Sequence, residues 1–232
     1  MKLKHSILGA AIAIASIQAQ AQQLDINITN LTQGIYFTPF LVAAHNADGK
    51  LFTVGAEASA NLQMMAEGGD ISGLSSDLGA ISADINENPA EGLLAPAMST
   101  SLMLDTTEGN NYLSIVSMLL PTNDGFVGLN SWMIPEEPGT YTIDLSAYDA
   151  GTEANDEVVN GGGAPGMLGI PVDPSGHGGT GASGVTDMES NTMIHIHRGS
   201  LGDDDVAGGN SDLNNTVHRW LNPVVRITVT VN

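Results

Sequence analysis

The chain contains several runs of apolar residues, alternating with polar ones or nearly continuous, that have the length of β-strands. Alternation such as LDINITN at 24–30 and VRITVTV at 225–231 is typical of strands with one buried face. Extended segments or strands are predicted at seven places: 24–30, 34–44 with an interruption at Pro39, 97–104, 112–120, 141–148, 192–197 and 217–231.

Helical signals are few and lie early in the chain. Residues 55–67 are rich in helix formers and are followed by Gly68 and Gly69, as helices often are at their C-terminus. A second short helix is predicted over 71–78. The predicted fold class is therefore all-β, an antiparallel β-sandwich with one or two short surface helices.

The N-terminus has the three parts of a Sec signal peptide. Lys2 and Lys4 precede an apolar stretch over 7–17, and Ala19 and Ala21 form an Ala-x-Ala ending. The apolar stretch is too short for a membrane anchor, which needs roughly 20 residues. We therefore expect a signal peptide at 1–21 and one domain at 22–232, exported to the periplasm or the medium without membrane insertion.

The charge balance narrows the classes of partner. The chain has 26 acidic and 6 basic residues, and loss of Lys2 and Lys4 would change the net charge from −20 to 4 − 26 = −22. Such acidity argues against binding to nucleic acid or to anionic lipid, which both need basic patches. The chain has no cysteine, so disulfides and thiolate metal sites are excluded. Most of the carboxylates are expected to form a solvated surface.

Two predicted strand ends deliver carboxylates into loops that contain glycine. Residues 112–120 lead into the turn PTNDG with Asp124, and 141–148 end in DAGTE with Asp149 and Glu153. Gly151 would let the second loop fold back so that both of its carboxylates point inward. Oxygen ligands from such loops suit Ca²⁺. An Asp-Gly pair is also ordinary turn chemistry, and acidic loop ends are usually solvated, so both interpretations stay open from spacing alone.

The segments PTNDGFVGL (121–129), YDAGTE (148–153) and LNPVVRITVTV (221–231) resemble the spondin-N domain family, with further similarity over 28–45 and 58–70. The resemblance implies a sandwich similar to a C2 domain that binds Ca²⁺ through one cluster of loops. It places the ligands at Asp124, Asp149 and Glu153. The animal domain has Asp at the last position and an aromatic residue where this chain has Gly125.

The resemblance implies an exported calcium-binding module, not an enzyme, that acts in adhesion or surface interaction with an unidentified protein or glycan. An alternative is a periplasmic transition-metal protein using His195 and His197 on one face of a strand, with His177 or His218 as further ligands. Exposed imidazoles without a metal would explain the same pattern. A carbohydrate hydrolase is a third hypothesis, because catalytic carboxylates pair in space and not in sequence.

Residues 160–184 differ in composition from the rest of the chain. Ten of these 25 residues are glycine and three are proline. No phosphate-binding Gly-x-x-x-x-Gly-Lys motif and no lysine or arginine occurs among them. The composition predicts a flexible surface loop inserted after the proposed calcium loop.

Overall fold

The structure is a computed structural model that describes residues 21–176 and 178–232. The predicted signal peptide at 1–21 therefore lies outside the described residues, apart from Ala21. Within the described residues the chain forms eleven strands and two helices: β1 Gln23–Asn30, β2 Tyr36–Phe37, β3 Leu41–His45, α1 Ala60–Gly68, α2 Ser72–Ala80, β4 Asp84–Glu87, β5 Ser99–Asp105, β6 Tyr112–Leu120, β7 Gly125–Met133, β8 Gly139–Leu145, β9 Ala147–Asp149, β10 His195–Ile196 and β11 Val225–Val231.

The strands form two antiparallel sheets. The first has the order β5-β1-β11-β8, and the second has the order β10-β9-β7-β6-β3-β4, with β2 also paired to β6. The first and last strands in sequence, β1 and β11, are adjacent in the first sheet, with Leu24 opposite Val231 and Asn30 opposite Val225. Two facing antiparallel sheets with two short helices confirm the predicted fold class.

The main core lies between the two sheets. Leu24, Ile26 and Ile28 of β1 are at most 1% exposed, whereas Asp25 between them faces solvent. These residues belong to one apolar cluster with residues of the second sheet such as Leu113. Full burial of one such side chain stabilises a fold by about 1.5–3 kcal/mol, so strict alternation is a strong determinant of β1.

The two helices cover the outer face of the second sheet. Leu62 and Met65 of α1 pack in a second apolar cluster with Val116 and Met118 of β6. Strand β6 is thus buried on both faces, which explains why its sequence is apolar at all positions except Ser114 and Ser117. Each helix has nine residues, and no helix in the described part of the chain is long and apolar enough to cross a membrane.

The second sheet contains two strands that the hydrophobic pattern of the sequence does not predict, β7 and β4. Strand β7 was not predicted because Gly125, Gly128, Asn130 and Ser131 make its sequence look like a turn. Gly128 has a packing role, since a Cβ there would lie 2.5 Å from a ring atom of Phe52. Strand β4 was also missed. The strand predicted at 192–197 is wrong in length, because only two of its residues pair with β9.

Candidate functional site

The two acidic loops meet at one end of the second sheet. Strand β6 ends at Leu120, and the turn at 121–124 leads into β7, which pairs with β9. In this pairing Gly125 lies opposite Asp149, so Asp124 and Asp149 come to the same end of two adjacent strands. The structure therefore brings together the two loops that the sequence proposed, although their contact depends on β7.

Asp124 is fully buried at the base of the loop that follows β9. Its Oδ2 accepts hydrogen bonds from the Thr152 N–H at 2.8 Å, the Thr152 hydroxyl at 3.2 Å and the Glu153 N–H at 3.1 Å. Its Oδ1 is buried and has no hydrogen-bond partner within the described residues. One oxygen thus organises the loop, while the other makes no hydrogen bond within the described residues.

Glu153 shows the same division between its two oxygens. The side chain is 4% exposed, and Oε2 accepts hydrogen bonds from the Gly169 N–H at 3.0 Å and from the Asn123 amide at 3.5 Å. Oε1 is buried without a partner among the residues that the structure describes. Glu153 therefore connects the acidic loops to the glycine-rich segment at 160–184.

Asp149 is buried too, but both of its oxygens are engaged. Oδ1 accepts a hydrogen bond from the Gly151 N–H at 2.8 Å, and Oδ2 accepts one from the Asn155 amide at 2.7 Å. Gly151 adopts a φ of +71°, a backbone conformation that favours glycine. A Cβ at this position would also lie 2.6 Å from the backbone carbon of Thr192.

Burial destabilises the charged forms of Asp124 and Glu153, and the charges of neighbouring carboxylates add to this effect. Burial, together with the charge of Asp149, raises the pKa of Asp124 to about 7 against the three hydrogen bonds that it accepts. Burial also raises the pKa of Glu153 to about 7, with further contributions from the charges of Glu67 and Asp124. Loss of a proton at either site would thus leave negative charge in a region of low dielectric constant.

The protein itself supplies little positive charge to this cluster. In the described chain no lysine or arginine forms an ion pair with Asp124, Asp149 or Glu153. The nearest basic contact is His195, whose Nδ1 lies 3.8 Å from Asp149 Oδ1. Burial lowers the pKa of His197 to about 4, so its ring is neutral at pH 7.

The histidines do not form the exposed pair that an HxH strand suggests. His195 is about one-third exposed, whereas His197 is 5% exposed and follows the end of β10. His197 Nδ1 accepts a hydrogen bond from the Gly199 N–H at 3.0 Å. Of the further ligands considered, His218 lies 3.3 Å from the carboxylate of Asp173, and His177 lies outside the described residues.

Gly125 lies against the side chains of Thr122 and His197. A Cβ on Gly125 would lie 3.2 Å from Cδ2 of the His197 ring and 2.7 Å from the Thr122 hydroxyl. The imidazole thus fills space into which a side chain at position 125 would project. The ring of His197 is itself packed against Trp220, with a centroid distance of 5.0 Å.

Three further residues of the site were not predicted from the sequence. Glu67 is fully buried at the end of α1, where its Oε2 accepts a hydrogen bond from the Gly166 N–H at 3.0 Å. Asn123 and Asn155 bind Glu153 and Asp149 through their side-chain amides. Glu67 gave no sequence signal either, because consecutive residues of a helix face different sides and its partner Gly166 is distant in the chain.

The donor atoms suit a hard divalent cation, although the carboxylates are not arranged as a finished metal site. Hard cations prefer oxygen, and Asp124 Oδ1 and Glu153 Oε1 are buried without a hydrogen-bond partner in the part of the chain that the structure describes. Across residues 21–176 and 178–232, no three His, Asp or Glu side chains are close enough to hold one ion. Each oxygen of Asp149 accepts one hydrogen bond and keeps a further lone pair that an ion could use.

Comparison with known proteins gives one match. The sequence model of a family described as Spondin_N matches residues 29–157, more than half of the chain. The match includes all three carboxylates and ends before the glycine-rich segment at 160–184. A search of curated proteins finds no match.

Proposed function

This chain belongs to the spondin-N family of extracellular modules, and we propose that it is an exported calcium-binding module that acts in adhesion or surface interaction. The observation that carries the calcium proposal is the pair of buried, unpartnered oxygens on Asp124 and Glu153. A buried carboxylate without a counter-charge is costly to ionise. A divalent cation would remove that cost at both sites.

Asp124, Glu153 and Asp149 would hold the ion, and backbone carbonyls and water would complete the six to eight oxygens that Ca²⁺ prefers. The chemistry that the ion supplies is charge neutralisation. The role of the chain is to keep one oxygen of Asp124 and one of Glu153 bound to backbone N–H groups, so that the other oxygen of each stays available.

The site is connected to a surface that a partner can reach. Glu153 accepts a hydrogen bond from Gly169, and the preceding residues Met167 and Leu168 are 61% and 66% exposed. Neutralising Glu153 would therefore influence the conformation of a loop that displays apolar side chains. Such a loop suits a protein or glycan outside the cell as the partner.

The burial of the site supports a role in binding, without catalysis. A general acid or base must come within hydrogen-bonding distance of its substrate. Asp124, Asp149 and Glu153 are at most 4% exposed, and the adjoining cavity, lined by residues such as Asn123 and Asn155, has a volume of about 10 Å³. This space is about that of one water molecule. We propose that the carboxylates are ligands.

Thermal unfolding of residues 22–232 tests the proposal. Extracellular calcium modules bind with Kd on the order of 10⁻⁴–10⁻³ M, so the titration should start in EDTA and reach about 10 mM Ca²⁺, with Mg²⁺ and Zn²⁺ as controls. We expect a rise in Tm that is selective for Ca²⁺.

Substitution assigns that effect to the site. Asp149→Asn should strongly reduce the Ca²⁺-dependent rise in Tm, because it removes a charged ligand from the proposed set. Asp204→Asn is the matched control, since Asp204 is exposed in a separate loop. Equal losses in the two variants would contradict the site assignment, and a response to Zn²⁺ alone would favour the histidines.

A further inference from the structure

Glu67 is a fully buried carboxylate at an unfavourable place for negative charge. It lies near the end of α1, where the last turn of the helix has no basic residue. The C-terminal end of a helix carries a partial negative charge that opposes a carboxylate. Within the described residues no ion pair includes Glu67. Its hydrogen bonds come from uncharged groups, the Gln63 amide at 2.7 Å and the Gly166 N–H at 3.0 Å.

The glycine-rich segment joins Glu67 to Glu153. The Gly166 N–H donates a hydrogen bond to Glu67 Oε2, and three residues later the Gly169 N–H donates one to Glu153 Oε2, each at 3.0 Å. One short stretch of backbone thus holds one oxygen of each carboxylate. Because the stretch is continuous, a change in its attachment to α1 would be transmitted to the side chain of Glu153.

Close packing fixes this segment on the end of α1. A Cβ on Gly68, the last residue of the helix, would lie 2.2 Å from the Gly163 carbonyl oxygen. A Cβ on Gly163 would lie 2.9 Å from the Pro171 side chain and 3.1 Å from the Glu67 carbonyl oxygen. The two backbones therefore touch where glycine alone leaves room. This contact keeps the N–H groups that bind Glu67 and Glu153 at one place relative to the helix.

The charge of Glu67 acts on the proposed calcium site. Burial raises the pKa of Glu153 to about 7, and the charge of Glu67 adds to this rise. A field that opposes negative charge on Glu153 attracts a cation to the same place. An ion bound at the buried Oε1 of Glu153 would thus be attracted by Glu67 as well.

We propose that Glu67 is a positioning residue for the calcium site. It anchors the glycine-rich segment through Gly166, and the segment holds Glu153 through Gly169. The negative charge of Glu67 increases the affinity of the site for a divalent cation. This inference rests on the proposed function. Glu67 acts on the ion through Glu153 and through its charge, so no contact between Glu67 and the ion is required.

Two substitutions separate the charge of Glu67 from its hydrogen bonds. Glu67→Gln removes the charge, while its carbonyl oxygen can still accept from the Gly166 N–H and its amide can donate to a reoriented Gln63. Glu67→Ala removes both. Glu108→Gln is the matched control, because Glu108 is exposed and precedes the start of β6, whereas the acidic turn at 121–124 follows the end of this strand.

NMR of isotope-labelled residues 22–232 measures both effects. In a Ca²⁺ titration, Glu67→Gln should raise Kd by about tenfold or more, the ratio that corresponds to one pKa unit of interaction, and Glu108→Gln should leave Kd unchanged. In EDTA, hydrogen exchange of the Gly166 and Gly169 amides should stay unchanged in Glu67→Gln. In Glu67→Ala it should be about tenfold faster or more, while the amides of β1 remain protected. A purely structural role of Glu67 would leave the Kd of Glu67→Gln unchanged.

The outcomes separate the role of Glu67 from the function on which it rests. A wild type whose spectrum does not respond to Ca²⁺ contradicts the proposed function, and the role of Glu67 with it. If the wild type binds Ca²⁺, an unchanged Kd in Glu67→Gln or an equal loss of affinity in Glu108→Gln overturns the role of Glu67 alone. That role is also overturned if either Glu67 variant does not fold in EDTA, or if exchange in Glu67→Ala stays that of the wild type.

Discussion

Asp124→Asn should stabilise the calcium-free protein and remove its response to calcium. The amide oxygen of asparagine can accept the hydrogen bonds that Thr152 and Glu153 now donate to Oδ2. The amide nitrogen then replaces the unpartnered oxygen Oδ1. The substitution thus removes a buried negative charge and preserves the shape of the loop.

The magnitude follows from the pKa of Asp124, which burial and Asp149 raise from 3.8 to about 7. An acid with a raised pKa in the folded state stabilises the fold below its unfolded pKa, and this contribution is lost as the pH rises through the folded pKa. At pH 8 in EDTA the wild type has lost about 4 kcal/mol in this way. Burying an unpaired amide costs about 1–3 kcal/mol, so the variant should be more stable by about 1–3 kcal/mol.

The assay is thermal unfolding of both proteins at pH 8, in EDTA and in Ca²⁺. For a domain of this size about 1 kcal/mol corresponds to 2–4 °C, so the variant should unfold roughly 2–12 °C above the wild type in EDTA. Calcium at about 100 times its Kd adds about 2.7 kcal/mol to a protein that binds it, which should close or reverse the gap. In EDTA the gap should close and then reverse as the pH is lowered towards 4, because the wild type regains this stability when Asp124 is protonated in both states.

Two results would refute this reasoning. A variant that is less stable than the wild type in EDTA at pH 8 would show that the charge of Asp124 does not destabilise the fold. Calcium that stabilises both proteins equally would show that Asp124 is not a ligand. Asp204→Asn is the control, because it removes one acidic charge from the exposed surface and should leave the calcium response unchanged.

Two further predictions concern a glycine with a positive φ and the N-terminal cap of a helix. Gly151→Ala should destabilise the protein by about 2 kcal/mol or more, because φ is +71° and the new Cβ would lie 2.6 Å from the Thr192 backbone. Urea unfolding measures this, and a loss below 0.5 kcal/mol would be inconsistent with the loop geometry. Ser59→Ala should cost about 1 kcal/mol, because its hydroxyl accepts a hydrogen bond from the Leu62 N–H at 3.1 Å. Ser59→Asp should restore that stability.

The sequence predicted best those elements whose pattern reflects their own burial. Strand β1 alternates because one face lies in the core, and it was placed within one residue. Helix α1 was marked by its C-terminal glycine, Gly69, which adopts a φ of +73°. The two acidic loops were found because a strand and a glycine-containing turn leave a local signal. The family resemblance predicts in addition that the two loops hold one ion.

Other features depended on the partners that the fold supplies. Strand β7 is extended because Phe52 and both adjacent strands pack against it, although its glycines indicate a turn. Glu67 joins the acidic cluster through a contact with Gly166, 99 residues away. His195 and His197 were expected on one face, but the chain leaves the sheet after Ile196 and buries the second ring.

The features that the sequence predicted and those that it missed differ for a physical reason. Periodicity, capping and turn chemistry are set by neighbours a few residues away, so the sequence alone determined the sandwich, the helices and the loops that carry Asp124, Asp149 and Glu153. Burial of a charge and the pKa that results depend on residues distant in the chain. Only the tertiary structure therefore decided which of the described carboxylate oxygens lack a hydrogen-bond partner and which histidine is buried.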